Sequence, residues 1–122
     1  MTNAALPSKV SIIVLGVTSV AKSAEFYRST MGLEVHGESE GLAFVATGGV
    51  MLMLSRDLGQ AFKPLAGATE IVFPVESVNL SYWALAERGC SFLNRPHLVA
   101  PGSWAATFTD PDGHKLTVFG PQ

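Results

Sequence analysis

Cysteine and histidine are scarce in this chain, and that scarcity excludes several kinds of site. The single cysteine, Cys90, cannot close an internal disulfide, so we expect a reducing, cytoplasmic environment and a small buried thiol. The three histidines, His36, His97 and His114, are far apart along the chain, and we expect exposed loop residues at all three. No Cys/His spacing suggests a structural zinc site.

Charge and long apolar runs are also scarce. Charged residues make up 15% of the chain, and eight basic residues against ten acidic ones give a formal net charge of -2. Such a balance offers no attraction to nucleic acid or to an anionic membrane, so we expect neither as a partner. No apolar run approaches the roughly 20 residues that cross a bilayer. The segment Met1–Ser8 lacks a signal-peptide layout and is predicted to be a frayed start.

The chain does contain an internal repeat and many apolar residues. Apolar side chains make up 48% of 122 residues, enough for one domain with a sizeable core. Ile13–Val20 is repeated as Ile71–Val78, with Ile, Val, Val, Ser and Val coinciding at one offset. Each copy predicts a strand, followed by a helix that Ser19 or Ser77 caps at its N-terminus.

The remainder of each copy predicts a helix end and three more strands. Gly32 and Gly89 stand where a left-handed cap would end each helix. The further strands are predicted at Leu33–His36, Leu42–Thr47 and Val50–Leu54 in the first copy and at Ser91–Leu93, Trp104–Thr109 and His114–Phe119 in the second.

These elements predict a single α+β domain over residues 1–122. It would consist of two βαβββ half-repeats, 9–55 and 69–122, with eight strands and two helices, joined by a linker over 56–68. One helix can cover only one face of each sheet. We therefore expect two concave mixed sheets around a cavity, with the helices on the outer face.

Five segments together resemble the vicinal oxygen chelate superfamily, which contains glyoxalase I, bleomycin-resistance proteins, fosfomycin-resistance enzymes and extradiol dioxygenases. The segments are Val17–Tyr27, Met31–Val35, Ile71–Val75, Ala86–Gly89 and Asp110–His114. They span almost the whole chain in the order of that family. The resemblance implies the same paired βαβββ fold, and the chain is closest in kind to the metal-free, drug-binding branch.

The resemblance also places the superfamily's metal ligands on this sequence. They would fall at Ile12, Met53, Glu70 and Thr117, and the repeat independently pairs Ile12 with Glu70 and Met53 with Thr117. Zn²⁺, Fe²⁺ and Mn²⁺ sites usually need about three imidazole or carboxylate ligands, and only Glu70 qualifies. We therefore expect no metal, no other cofactor and no catalytic residue.

Strand alternation places a set of residues on the cavity face of the two sheets. Glu70 would contribute a carboxylate that needs a cation in apolar surroundings, and Lys115 is one candidate partner. Trp104 would cover the cavity or stack on a ligand, whereas Trp83 would pack in the core or an interface. The predicted ligand-binding residues are Glu70, Ile12, Val14, Met51, Met53, Val72, Trp104, Lys115, Thr117 and Phe119.

Three functions are compatible with these features. The first is a metal-free homodimer that sequesters small hydrophobic or cationic aromatic compounds, as similar bleomycin-resistance proteins do. The second is a lyase or isomerase with an altered or absent metal site that uses Glu70 as a general base. The third is a structural or regulatory dimer module.

Overall fold

The computed structural model describes residues 10–61 and 69–122 and shows a mixed α+β fold with two sheets. The predicted frayed start, the boundary at residue 9 and positions 62–68 of the predicted linker lie outside the described residues. No helix in the described ranges is long and apolar enough to cross a membrane.

The first sheet is formed by the first half of the chain. Its strands are β1 (Ile12–Gly16), β2 (Glu34–His36), β3 (Leu42–Ala46) and β4 (Met51–Ser55). They lie in the order β1-β4-β3-β2, with β1 and β4 parallel and the other pairs antiparallel. Helix α1 (Val20–Glu25) continues into a π-helical turn, Phe26–Thr30, before β2 begins.

The second sheet repeats that arrangement with one additional strand. Its strands are β5 (Glu70–Pro74), β6 (Ser91–Phe92), β7 (His97–Ala100), β8 (Ser103–Thr109) and β9 (Lys115–Gly120). Strand β9 lies between β5, which is parallel to it, and β8, which is antiparallel. Strands β6 and β7 pair in succession with β8. Helix α3 (Val78–Glu87) connects β5 to β6 and contacts β8 and β9.

The predicted helix signals are confirmed in both halves. The hydroxyl oxygen of Ser19 accepts the backbone N–H of Lys22 at 3.2 Å, and that of Ser77 accepts the N–H of Leu80 at 3.2 Å. Gly32 and Gly89 have φ values of 73° and 90°, in the left-handed region where side chains are disfavoured.

The first part of the predicted linker, Arg56–Ala61, forms a helix, α2, which the prediction of two helices did not include. Gly59 lies within α2, where the helix crosses the end of β1. A Cβ atom at Gly59 would lie 2.3 Å from the carbonyl oxygen of Val17. Glycine therefore lets the helix approach the strand. Strand β7 likewise raises the number of strands in the described residues to nine instead of the expected eight.

One hydrophobic core contains residues of both halves. Tyr27, Leu52 and Leu54 come from the first half and Phe108 and Leu116 from the second, and all are almost fully buried. The residues that alternate with the predicted cavity-face residues along β1 and β5, and the residue after each strand, pack in or against this core. Leu15 and Val17 are buried in the core, and Ile13, Ile71, Phe73 and Val75 pack against it.

A buried polar network joins the two halves. The Tyr27 hydroxyl donates to Asp110 Oδ2 at 2.8 Å, and Asp110 Oδ1 accepts the backbone N–H of His114 at 2.8 Å. The His114 ring donates from Nε2 to the Gly16 carbonyl oxygen at 2.7 Å, since a carbonyl can only accept. Desolvation raises the pKa of Asp110, although the Tyr27 hydrogen bond opposes that shift.

This network corrects the expectation for His114, which is buried with 8% of its surface exposed, whereas His36 and His97 are exposed. The tight turn before β9 carries its ring toward β1 of the other half. Trp83 does not lie in the core, so only the alternative of interface packing stays as a prediction for it. Its side chain is 63% exposed on α3 and contacts Tyr82 edge-on, with ring centroids 5.2 Å apart.

Candidate functional site

Each sheet has one face that no helix of its own half covers. On the first sheet this face carries four of the predicted site residues. Ile12 pairs with Met51 and Val14 pairs with Met53 across β1 and β4, and Phe44 of β3 lies opposite Met53. Ile12 and Val14 are 46% and 38% exposed. We call this group the apolar face.

On the second sheet the corresponding face contains polar groups among apolar ones. Glu70 pairs with Lys115, Val72 with Thr117 and Pro74 with Phe119 across β5 and β9. Val72 and Phe119 are 50% and 39% exposed. Apart from Trp104, the predicted residues of the two sheets therefore lie on these faces, and the sheets do not close into a barrel.

Glu70 takes part in a hydrogen-bonded chain that crosses three neighbouring strands. The Thr117 hydroxyl on β9 donates to Glu70 Oε2 on β5. Thr107 Oγ1 on β8 lies 2.8 Å from Thr117 Oγ1. Thr117 is buried, whereas Glu70 is exposed. We call Glu70, Thr117 and Thr107 the acceptor relay.

The sequence interpretation missed Thr107, although a signal for it was present. Strands β8 and β9 form a hairpin around the Asp-Pro-Asp-Gly turn, and the turn sets the register that places Thr107 opposite Thr117. The same alternation corrects the placement of Trp104. Trp104 shares a face with Phe108 under α3 and packs against the core, so it does not cover the open face.

Lys115 lies beside Glu70 across the strands, but it does not form the expected ion pair. The ion pairs found among the described residues do not include Lys115, whose side chain is exposed. Glu70 is hydrogen-bonded to Thr117 instead. The ammonium group of Lys115 is consequently not held by Glu70.

A cleft of about 490 Å³ lies between the two halves, next to β5. One side is the β3–β4 turn, Thr47–Val50, and the other is Thr69–Pro74. Ile13 and Leu52 also line it, and Glu70 is the only ionisable residue among the described residues of the lining. Ligand pockets typically measure about 300–1,000 Å³ and combine apolar walls with few polar groups. The cleft brings together Glu70 and Val72 of the predicted set.

The residues at the superfamily's ligand positions do not fit a divalent catalytic metal. Ile12 offers hydrocarbon and Met53 a thioether, whereas the Thr117 hydroxyl is already hydrogen-bonded to Glu70. Such ions usually require about three or more imidazole or carboxylate ligands, and these four positions supply one. Within residues 10–61 and 69–122, no group of three His, Cys, Asp or Glu residues is placed to hold a metal ion.

Comparison with known proteins finds a matching family model and related sequences and structures. The model of the Glyoxalase/Bleomycin resistance protein/Dioxygenase superfamily matches residues 9–118. Metallothiol transferase FosB of Staphylococcus haemolyticus is 30% identical over 110 residues, which cover 88% of this chain and 79% of FosB.

Among solved structures, a glyoxalase-related enzyme from Fulvimarina pelagi superposes with a TM-score of 0.79 at 22% identity, covering 93% of this chain and 88% of that one. TnmS3, an antibiotic binding protein from Streptomyces sp. CB03234, superposes with a TM-score of 0.75 at 24% identity, covering 95% and 98%. These matches confirm the fold and the superfamily inferred from the sequence. The chain belongs to the glyoxalase/bleomycin resistance protein/dioxygenase superfamily.

Proposed function

We propose that this protein binds small hydrophobic, cationic aromatic molecules in the cleft beside β5 and sequesters them without chemistry. The observation that carries the proposal is the placement of Glu70, the one ionisable residue in the described part of the lining, among largely apolar residues such as Val72 and Phe73. Apolar walls favour a hydrophobic body, and a carboxylate at the wall favours a positive charge on it.

Two further observations support binding over metal-assisted catalysis. The donor set at Ile12, Met53, Glu70 and Thr117 does not suit a divalent ion. In addition, TnmS3, whose fold is similar, is an antibiotic binding protein. A shared fold does not carry function, so the proposal depends on the cleft's own residues.

We further propose that the working unit is a cytoplasmic homodimer and that a second copy covers the open faces. Ile12, Val14, Val72 and Phe119 are each more than one-third exposed. Apolar surface of this kind is a frequent feature of interfaces. In such a dimer the predicted binding residues Met51, Met53, Lys115 and Thr117 would complete the ligand site. Light scattering after size exclusion should give a dimer mass for the wild type and a monomer mass for Val14→Lys.

The binding proposal is tested by thermal unfolding with the 1-naphthylmethylammonium cation, comparing the wild type with Glu70→Gln. A ligand at 100 times its dissociation constant adds about 2.7 kcal/mol to stability, which is readily measured. We expect stabilisation of the wild type and a much smaller effect on Glu70→Gln. Equal stabilisation of both proteins would contradict a role for the carboxylate, and no stabilisation by any cationic aromatic probe would favour a structural or regulatory module.

The second candidate is a metal-dependent transferase, favoured by the 30% identity to FosB. It predicts that Mn²⁺, Ni²⁺ or Zn²⁺ raises the unfolding temperature of the wild type and not of Glu70→Gln. The binding proposal predicts no metal effect on either protein. A Glu70-dependent metal effect would therefore replace the first proposal with the second.

A further inference from the structure

We propose, building on the binding function above, that the acceptor relay makes the polar end of the cleft selective for hydrogen-bond donors. Ammonium groups and N–H or O–H donors should bind there, and carboxylates or phosphonates should be excluded. The hydrogen bonds of Glu70, Thr117 and Thr107 carry this inference, because they fix where each hydroxyl proton lies.

The direction of each hydrogen bond follows from counting protons. An ionised carboxylate can only accept, so the hydroxyl of Thr117 must donate to Glu70 Oε2. A threonine hydroxyl has one proton, and that of Thr117 is now used. The 2.8 Å contact between the two threonine hydroxyls therefore requires Thr107 to be the donor. Both hydroxyl protons point along the relay toward Glu70.

Glu70 is the relay member that lines the cleft, and the relay leaves it only acceptor capacity for a ligand. Glu70 Oε1 is unoccupied by these bonds, and an ionised carboxylate oxygen can only accept. A ligand anion would bring further acceptors next to a negative charge, where no relay proton is free to meet them. A ligand ammonium would instead supply the missing protons and neutralise the charge.

The sheet holds this polarity in place. The three residues lie on β5, β9 and β8, which are adjacent strands in a continuous hydrogen-bonded sheet. Thr117, the central member, is buried, and β-branched side chains have restricted χ1 rotation. A reversal of the relay would require Glu70 to donate, which its charged form cannot do.

Among residues 10–61 and 69–122, Lys115 is the cation that the strand register places beside Glu70, and it could attract anions on its own. It lies opposite Glu70 in the strand register, and its exposed side chain is free of an ion pair with Glu70. Lys115→Gln therefore serves as the control variant that removes this attraction. Under the relay model, the preference for donors should persist or increase in that variant.

The test uses three probes that share a naphthalene ring, titrated by calorimetry into the full-length protein. They are 1-naphthylmethylammonium, 1-naphthoate and the N,N,N-trimethyl derivative of the first, which keeps the charge and lacks N–H donors. We expect the ammonium to bind at least about tenfold more tightly than the carboxylate, and also more tightly than the trimethyl compound. A similar order is expected for Lys115→Gln.

Glu70→Gln should reverse the polarity without changing the shape of the site. Thr117 can still donate to the amide oxygen, which turns the new NH₂ group toward the ligand. The tenfold preference for the ammonium over the carboxylate should disappear. Thr117→Val should weaken ammonium binding, and Thr117→Ser, which restores the hydroxyl, should recover it. Far-UV circular dichroism verifies that each variant is folded.

The outcomes separate the relay model from the binding function itself. If the carboxylate binds wild type within threefold of the ammonium, or the trimethyl compound binds as tightly as the ammonium, the relay model is wrong and the cleft remains a binding site. An unchanged preference in folded Glu70→Gln also overturns it. If none of the three probes binds the wild type, the proposed function fails and the relay model fails with it.

Discussion

Replacing Tyr27 with phenylalanine removes one atom from the network that joins the two halves. The Tyr27 hydroxyl is fully buried and donates to Asp110 Oδ2 at 2.8 Å, across 83 residues of sequence. Asp110 is itself buried, with 4% of its surface exposed. The substitution keeps the ring in the core and leaves one carboxylate oxygen without its donor.

The expected cost in the free energy of unfolding is about 2 kcal/mol at neutral pH, since hydrogen bonds to charged groups contribute about 1.5–3 kcal/mol. The penalty should shrink as the pH falls from 7 toward 4. Burial raises the folded-state pKa of Asp110, and the Tyr27 hydrogen bond opposes this, so Tyr27→Phe raises that pKa further. A raised carboxyl pKa makes the folded state bind more protons, and the variant's deficit therefore grows as pH rises through that pKa.

Urea denaturation measures the effect. With a slope of about 1.5–2 kcal/mol/M, the midpoint should fall by roughly 1 M while the slope stays constant. Tyr82→Phe is the matched control, because the Tyr82 ring is partly buried and its hydroxyl makes no hydrogen bond with the described residues. A loss below about 0.5 kcal/mol for Tyr27→Phe, or a loss independent of pH, would refute the reasoning.

Three further predictions test other contacts. Gly59→Ala should lower the free energy of unfolding, measured by urea denaturation, by about 2 kcal/mol or more, because the added Cβ would lie 2.3 Å from the Val17 carbonyl oxygen. Gly41 has open space around it, so the control Gly41→Ala should change stability by less than about 0.5 kcal/mol. Equal effects of the two substitutions would contradict the close approach at Gly59. His114→Ala should cost about 1–3 kcal/mol by removing the donor to the buried carbonyl at the end of β1, and a neutral result would show that this bond is not formed. Burial raises the pKa of the Cys90 thiol, so labelling by a thiol reagent at pH 7.5 should be slower than for free cysteine, and faster labelling would contradict that direction.

Local sequence was sufficient for most of the fold. The repeat indicated two similar halves. The serines at positions 19 and 77 cap their helices through bonds to residues three positions away, and the glycines at 32 and 89 end them through their own backbone conformation. Strand alternation depends only on the period of two, so it placed Glu70, Val72 and Thr117 on one face correctly. The same rule would have placed Thr107 opposite Thr117 and Trp104 under the helix, had the hairpin register been followed along β8.

Only the tertiary structure decided how the halves meet, because those contacts join residues distant in sequence. The sequence around His114 does not indicate that its ring will reach Gly16, 98 residues earlier. Likewise, the sequence around Tyr27 does not indicate that its hydroxyl will donate to Asp110. The need for glycine at position 59 in α2 follows from the close approach of this helix to the end of β1. The cleft likewise exists because a turn of one half lies beside β5 of the other. Sequence periodicity specifies which face of an element is apolar, whereas packing between elements determines what that face meets.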